Sequence, residues 1–327
     1  MESPQNIKKR LKSVSNIGQI TKAMELVSAT KMRKSQQIAL DSRPYAFAAM
    51  ELLAKLTVLE NIKKEELPPL FEVRKKGNPS ASSGQNLRVL FVLIASDKGL
   101  AGAFNSSVFK KLEKHFAEDE RHPGEEKLFL AVGEKAYQYL RKKDLKVVKK
   151  IVQAGDFISP EQAKPIADFI TQGYLNKDWD RVIIISTHFK TALKQEPHVR
   201  RVLPIDFDHI SDTITEIIPE RGKFAELIKE NSISFVPNKL EIRENIIEPS
   251  AKVVLEKLAS HLFFMQIYHL ILEANASEHS ARRMAMKTAS DNAKDLEENL
   301  NLQYNKSRQS RITTEISEIS AGAEALN

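Results

Sequence analysis

The chain has 327 residues, 42% of them hydrophobic and 28% charged, with a net charge of +7 and no cysteine. That balance supports a packed core and argues against wholesale disorder, and the missing thiol excludes disulfides, thiolate nucleophiles and cysteine metal ligands. The excess charge is local: residues 1–56 carry ten Lys/Arg against four acids, whereas residues 249–327 carry nine against ten.

The opening Met1, Glu2, Ser3 and Pro4 form neither a cationic nor an apolar run, so no signal peptide is expected. Ser3 and Pro4 suit the first turn of a helix. From there to residue 59 only Gly18 and Pro44 interrupt a helical pattern. Ile7, Leu11, Val14, Ile17, Ile20, Met24 and Val27 recur at alternating three- and four-residue steps, which predicts a coiled-coil seam. Pro44 should kink the helix. Residues 60–86, rich in Pro, Gly and Ser, read as a loop.

The middle of the chain alternates. Strands are expected at 88–95, 128–132, 147–152, 181–187 and 199–205, and helices at 103–116, 134–142 and 160–174, the last capped by Ser159. The run at 88–95 is apolar throughout, as in a strand buried on both faces. This alternation predicts a layered, Rossmann-like α/β domain over residues 87–206. Residues 207–248 read as an extension or linker.

After Pro249 no proline occurs, and no glycine before Gly322. A helix over 249–327 would reach on the order of 110 Å at 1.5 Å per residue. Such a helix needs a partner along its flank. Ser277, Ala281, Ala285, Ala289 and Ala293 form a row of small residues that invites close approach. The expected fold class is therefore a central α/β domain plus a long antiparallel coiled coil formed by the N-terminal helix, 1–59, and the C-terminal helix. The apolar stretch 262–272 is shorter than the ~20 residues of a membrane span, so membrane association should be indirect, through a partner.

Chemistry-bearing motifs are scarce. The turn Ser96 to Gly102 sits where phosphate-binding loops sit, but its lysine precedes the glycine and no Walker motif results. Its plain reading is a tight turn in which Asp97 satisfies nearby N–H groups. His261, His269 and His279 are not spaced as a ligand pair. No catalytic residue, metal ligand or cofactor site is expected. Lys31, Arg33 and Lys34 form a basic cluster, read either as a solvated face or as a contact with an acidic partner. A basic scaffold or nucleic-acid-binding coiled coil stays open as an alternative, although no aromatics interleave with the cluster.

Three stretches carry a resemblance. Residues 20–34 (ITKAMELVSATKMRK) resemble the first-helix signature of the gamma subunit of F-type ATP synthases. Residues 276–293 (ASEHSARRMAMKTASDNA) and 304–319 (YNKSRQSRITTEISEI) resemble its last helix, and residues 95–105 (ASDKGLAGAFN) its central strand-to-helix turn. The chain departs from the usual pattern at Lys98, Ala101 and Ala103, where the family commonly has Arg, Cys and Gly. The resemblance implies a bacterial, non-catalytic rotor shaft, present once in a hetero-oligomer. It implies alpha and beta subunits forming a ring around the shaft, an epsilon subunit and a membrane c-ring as partners, proton transport, and a peripheral place on the cytoplasmic face of the plasma membrane. No nucleic acid is implied. Carried over by motif, Met24, Lys31, Arg33, Lys34, Arg308, Gln309 and Thr313 would contact beta. Ile312, Ile316, Ile319 and Leu326 would form an apolar tip turning in a bearing.

Overall fold

The computed structural model describes residues 3–41, 68–74, 87–118, 125–205, 248 and 250–325. The expected kink at Pro44, most of the 60–86 loop, nearly all of 207–248 and Leu326 lie outside those residues. In chain order the elements are α1 (Pro4–Asp41), a 3-10 turn (Pro69–Phe71), β1 (Arg88–Ile94), α2 (Phe104–Glu118), β2 (Glu126–Val132) and α3 (Glu134–Lys142). They continue with β3 (Val147–Ile151), α4 (Pro160–Leu175), β4 (Arg181–Phe189), β5 (Gln195–Leu203) and α5 (Ala251–Ala325). The described residues form two compact units: Met1–Thr30 with Arg282–Asn327, and Lys31–Ala281.

The second unit is a three-layer α/β domain. Its sheet runs β3-β2-β1-β4-β5, with parallel pairing everywhere except the antiparallel β4–β5 edge. The apolar run of β1 serves two cores. Leu90, Val92 and Ile94 face one side with Leu130, Ile184, Ile166, Ile170, Phe263 and Ile267. Val89, Phe91 and Leu93 face the other with Phe129, Ile183, Val108, Leu112 and Leu140. Strand alternation thus sorts one continuous hydrophobic run into two interiors. One face is covered by α4 and the early part of α5, the other by α2 and α3.

Local chemistry fixes the element ends. Ser159 Oγ accepts from the Gln162 N–H at 3.3 Å, and Gln162 Oε1 accepts from the Ser159 N–H at 3.0 Å, a complete capping box at the start of α4. Gly133, at φ 99°, joins β2 to α3; a Cβ there would lie 2.0 Å from the Ala95 carbonyl oxygen. Only glycine permits that approach. β5 begins four residues earlier than the sequence pattern predicts and includes Pro197, opposite Thr187. At a sheet edge proline is tolerated, because one side of the strand makes no ladder bond.

The first unit is a pair of antiparallel helices. A Cβ on Gly18 would sit 3.5 Å from Ala293 Cβ. Pro4, Gln5 and Lys8 share a groove with Tyr304, Arg308, Arg311, Ile312 and Glu315. The seam on α1 departs from the expected one. Beyond Val14 it steps to Gly18, Thr21, Glu25 and Ser28, with the last three only 9%, 8% and 3% exposed. Ile17, Ile20 and Val27, expected inside, are 53%, 59% and 54% exposed. The reason is size: backbones separated by a glycine and an alanine approach closely, and small or short polar side chains fill what remains. On α5 the seam holds Met286, Ala293 and Leu300, seven residues apart.

Candidate functional site

Between residues 17 and 28, helix α1 therefore hides polar residues and displays apolar ones, although it buries Ile7 and Met32 at either side. Thr21 and Ser28 are accommodated inside because each hydroxyl donates to a carbonyl of the preceding turn, Ile17 O at 2.9 Å and Met24 O at 2.7 Å. Glu25 accepts from Lys22 Nζ at 2.9 Å. Ile17, Ile20 and Val27 remain more than half exposed. On α5, Ile312, Ile316 and Ile319 are likewise exposed, spaced to share one face.

The residues expected to contact beta fall into three groups. Met24 is half-buried and Arg33 is exposed. Lys31 and Lys34 already have intramolecular partners: Lys31 Nζ lies 2.5 Å from Asp156 Oδ1, and Lys34 Nζ stands 4.5 Å above the Phe157 ring. Arg308, Gln309 and Thr313 are exposed on α5, with Thr313 Oγ1 donating to the Gln309 carbonyl at 3.0 Å. Reading the first helix by charge alone missed Asp156. Its only sequence signal is its place beside Gly155, between a strand and the Ser159 cap.

The turn after β1 lies at the carboxyl edge of the sheet, beside the point where strand order reverses. Its polar groups bind other parts of the chain. Asp97 Oδ1 accepts from the Glu134 N–H and Oδ2 from the Gln153 N–H, both at 3.0 Å. Ser96 Oγ donates to the Lys98 carbonyl at 2.7 Å, and the Ser96 N–H donates to Asn105 Oδ1 at 3.0 Å. Leu100, at φ 63°, is held in the left-handed region and points its side chain to solvent. Asp97 thus fulfils the expected turn-satisfying role, through the first residue of α3 and the loop after β3. Among the described residues no group of three or more His, Asp or Glu is placed to hold a metal ion, and no helix is long and apolar enough to cross a membrane.

Beyond that edge, α5 crosses the sheet as a helix buried on nearly every side from residue 266 to 280. Its polar side chains are matched to loop ends. Asn275 Nδ2 donates to the Ala154 carbonyl at 2.8 Å, Ser277 Oγ to Thr187 O at 3.4 Å and Ser280 Oγ to Ala192 O at 2.7 Å. Glu273 meets His188 Nδ1 at 3.3 Å. Burial pushes the Glu273 carboxyl up, but the His188 hydrogen bond and the charges of His188, His269 and Arg200 outweigh it, leaving the group below the ordinary carboxylate value. The Lys31 hydrogen bond likewise holds Asp156 low.

These geometries have parallels. A family model described as ATP synthase matches residues 3–326. The ATP synthase gamma chain of Herpetosiphon aurantiacus is 36% identical over the whole of both chains, and that of Bdellovibrio bacteriovorus is 35% identical over all of this chain and 99% of the relative. Among solved structures, the central stalk and c-ring of the Tetrahymena thermophila mitochondrial ATP synthase contains a similar chain at 25% identity and TM-score 0.52, covering 83% of this chain and 99% of that one. A chain in the Euglena gracilis mitochondrial ATP synthase shares the fold at TM-score 0.59 and 19% identity, covering 99% of this chain and 94% of that one.

Proposed function

The chain belongs to the ATP synthase gamma-chain family and is a central-stalk subunit, and on that premise we propose how it works: as the non-catalytic rotor shaft of a proton-translocating enzyme. In this reading the helices within 1–59 and 249–327 stand inside a ring of alpha and beta subunits. The α/β domain of 87–206 is the head that meets an epsilon subunit and the membrane c-ring. The enzyme sits peripherally on the cytoplasmic face of the bacterial plasma membrane.

One observation carries the proposal: the inverted first helix. A free-standing coiled coil gains by hiding Ile17, Ile20 and Val27, since burying such side chains is worth roughly 1.5–3 kcal/mol each. This one leaves them out and buries Thr21, Glu25 and Ser28. That arrangement suits a helix pair surrounded by other protein. Around the shaft the surface is unequal, apolar along one stripe, basic near Arg33, and apolar again at Ile312, Ile316 and Ile319. A ring subunit facing each sector meets different contacts, and differential contact is what shifts a site between affinity states. Met24, Arg33, Arg308, Gln309 and Thr313 are the residues we assign to beta.

The test is purification from membranes through a tagged copy of the chain. Alpha and beta subunits should co-purify in a fixed ratio. Their absence, with the tagged chain recovered intact, would refute the shaft reading.

A further inference from the structure

Five residues after β3 gather more of the fold than a connecting loop requires. Gln153 sits at φ 66°, in the left-handed region, and its N–H is taken by Asp97. Non-glycine residues hold that conformation only where their surroundings impose it. The next residue, Ala154, receives the buried Asn275 amide of α5 through its carbonyl. Asp156 pairs with Lys31 of α1, and its carbonyl lies 3.4 Å from His279 Nε2 of α5. The Phe157 ring lies beneath Lys34. A single short segment therefore holds both long helices to the carboxyl edge of the sheet.

We infer that the loop 153–157 is a torque-bearing buckle, in which Asp156 and Asn275 are positioning residues that keep α1 and α5 from shifting against the sheet when the shaft is loaded. The inference rests on the rotor-shaft reading and reassigns Lys31 and Lys34 from partner contact to internal bracing. Two separate grips are involved. The Lys31–Asp156 ion pair is exposed at its acid, so it yields to single charge changes. The Asn275 bond is buried, so its loss leaves the Ala154 carbonyl without that donor.

The experiment uses the assembled, membrane-reconstituted enzyme and reads the ratio of ATP-driven proton pumping to ATP hydrolysis. Asp156→Lys should lower that ratio at least threefold while hydrolysis continues, and the exchange Lys31→Asp with Asp156→Lys should restore more than half of it. Asn275→Ala should lower the ratio by its own route and should not be rescued by the exchange. Should Asp156→Lys fail to assemble, Asp156→Asn reads the same grip at lower cost. Wild-type ratios in both single variants would overturn the buckle, as would an exchange variant that stays uncoupled. An unsubstituted chain that assembles with no alpha or beta would instead overturn the shaft reading beneath it.

Discussion

At the scale of single residues, the buried Glu273–His188 pair is where acid should act on the fold. It joins α5 to the end of strand β4, with both side chains withdrawn from solvent. Its folded carboxyl titrates below the ordinary 4.5. A lowered acid stabilises the fold fully above its unfolded value, and that contribution fades as pH falls through the folded one. Thermal unfolding followed from pH 7 downward should therefore steepen below about pH 4.5. Glu273→Gln should cost about 1–3 kcal/mol at neutral pH and flatten that acid limb. Melting curves that fall in parallel for both proteins would show that the pair is not what acid breaks. Asp97 teaches a different lesson. Its job was legible, because an aspartate in a glycine-rich turn satisfies N–H groups, yet its partners were not, since they lie 37 and 56 residues farther on.

Among the elements, legibility followed the kind of force that shapes each one. β1 was plain because hydrophobicity alone makes a two-faced strand, and α4 because Ser159 and Pro160 write a helix start in adjacent letters. The pattern of β5 predicts too short a strand because its edge position, which excuses Pro197, is a property of the sheet rather than of the segment. The periodicity of α1 predicts a seam one residue away from the observed one. Periodicity counts apolar residues, whereas this seam is chosen by bulk, with Gly18 against Ala293 setting the distance. That register makes a direct prediction. A disulfide needs Cβ atoms about 3.5–4.5 Å apart, and the 18–293 pair meets this at 3.5 Å. In a chain with no other thiol, Gly18→Cys with Ala293→Cys should cross-link on mild oxidation, and Ile17→Cys with Ala293→Cys should not. Electrophoresis without reductant separates the two. Equal linking by both pairs would mean that the seam has no fixed register.

For the whole molecule, the division between what holds the fold and what serves the complex runs along α1. Thr21, Glu25 and Ser28 face into the pair; Ile17, Ile20 and Val27 face away from it, and on the rotor-shaft proposal they meet the surrounding subunits. Replacing Ile20 and Val27 together by Ser should change unfolding of the isolated chain by no more than about 0.5 kcal/mol per site, as for ordinary surface positions, while lowering recovery of alpha and beta in the purification. A large loss of intrinsic stability would place those side chains in the core after all. The outward stripe also has a consequence for the life of the subunit before assembly. Apolar surface that awaits a sheath is, until the sheath arrives, a site for self-association. On the rotor-shaft proposal, a cell making more of this chain than of the subunits around it would hold the surplus as aggregate or lose it to proteolysis, so the same hydrophobic stripe would also set a limit on the stoichiometry of its synthesis.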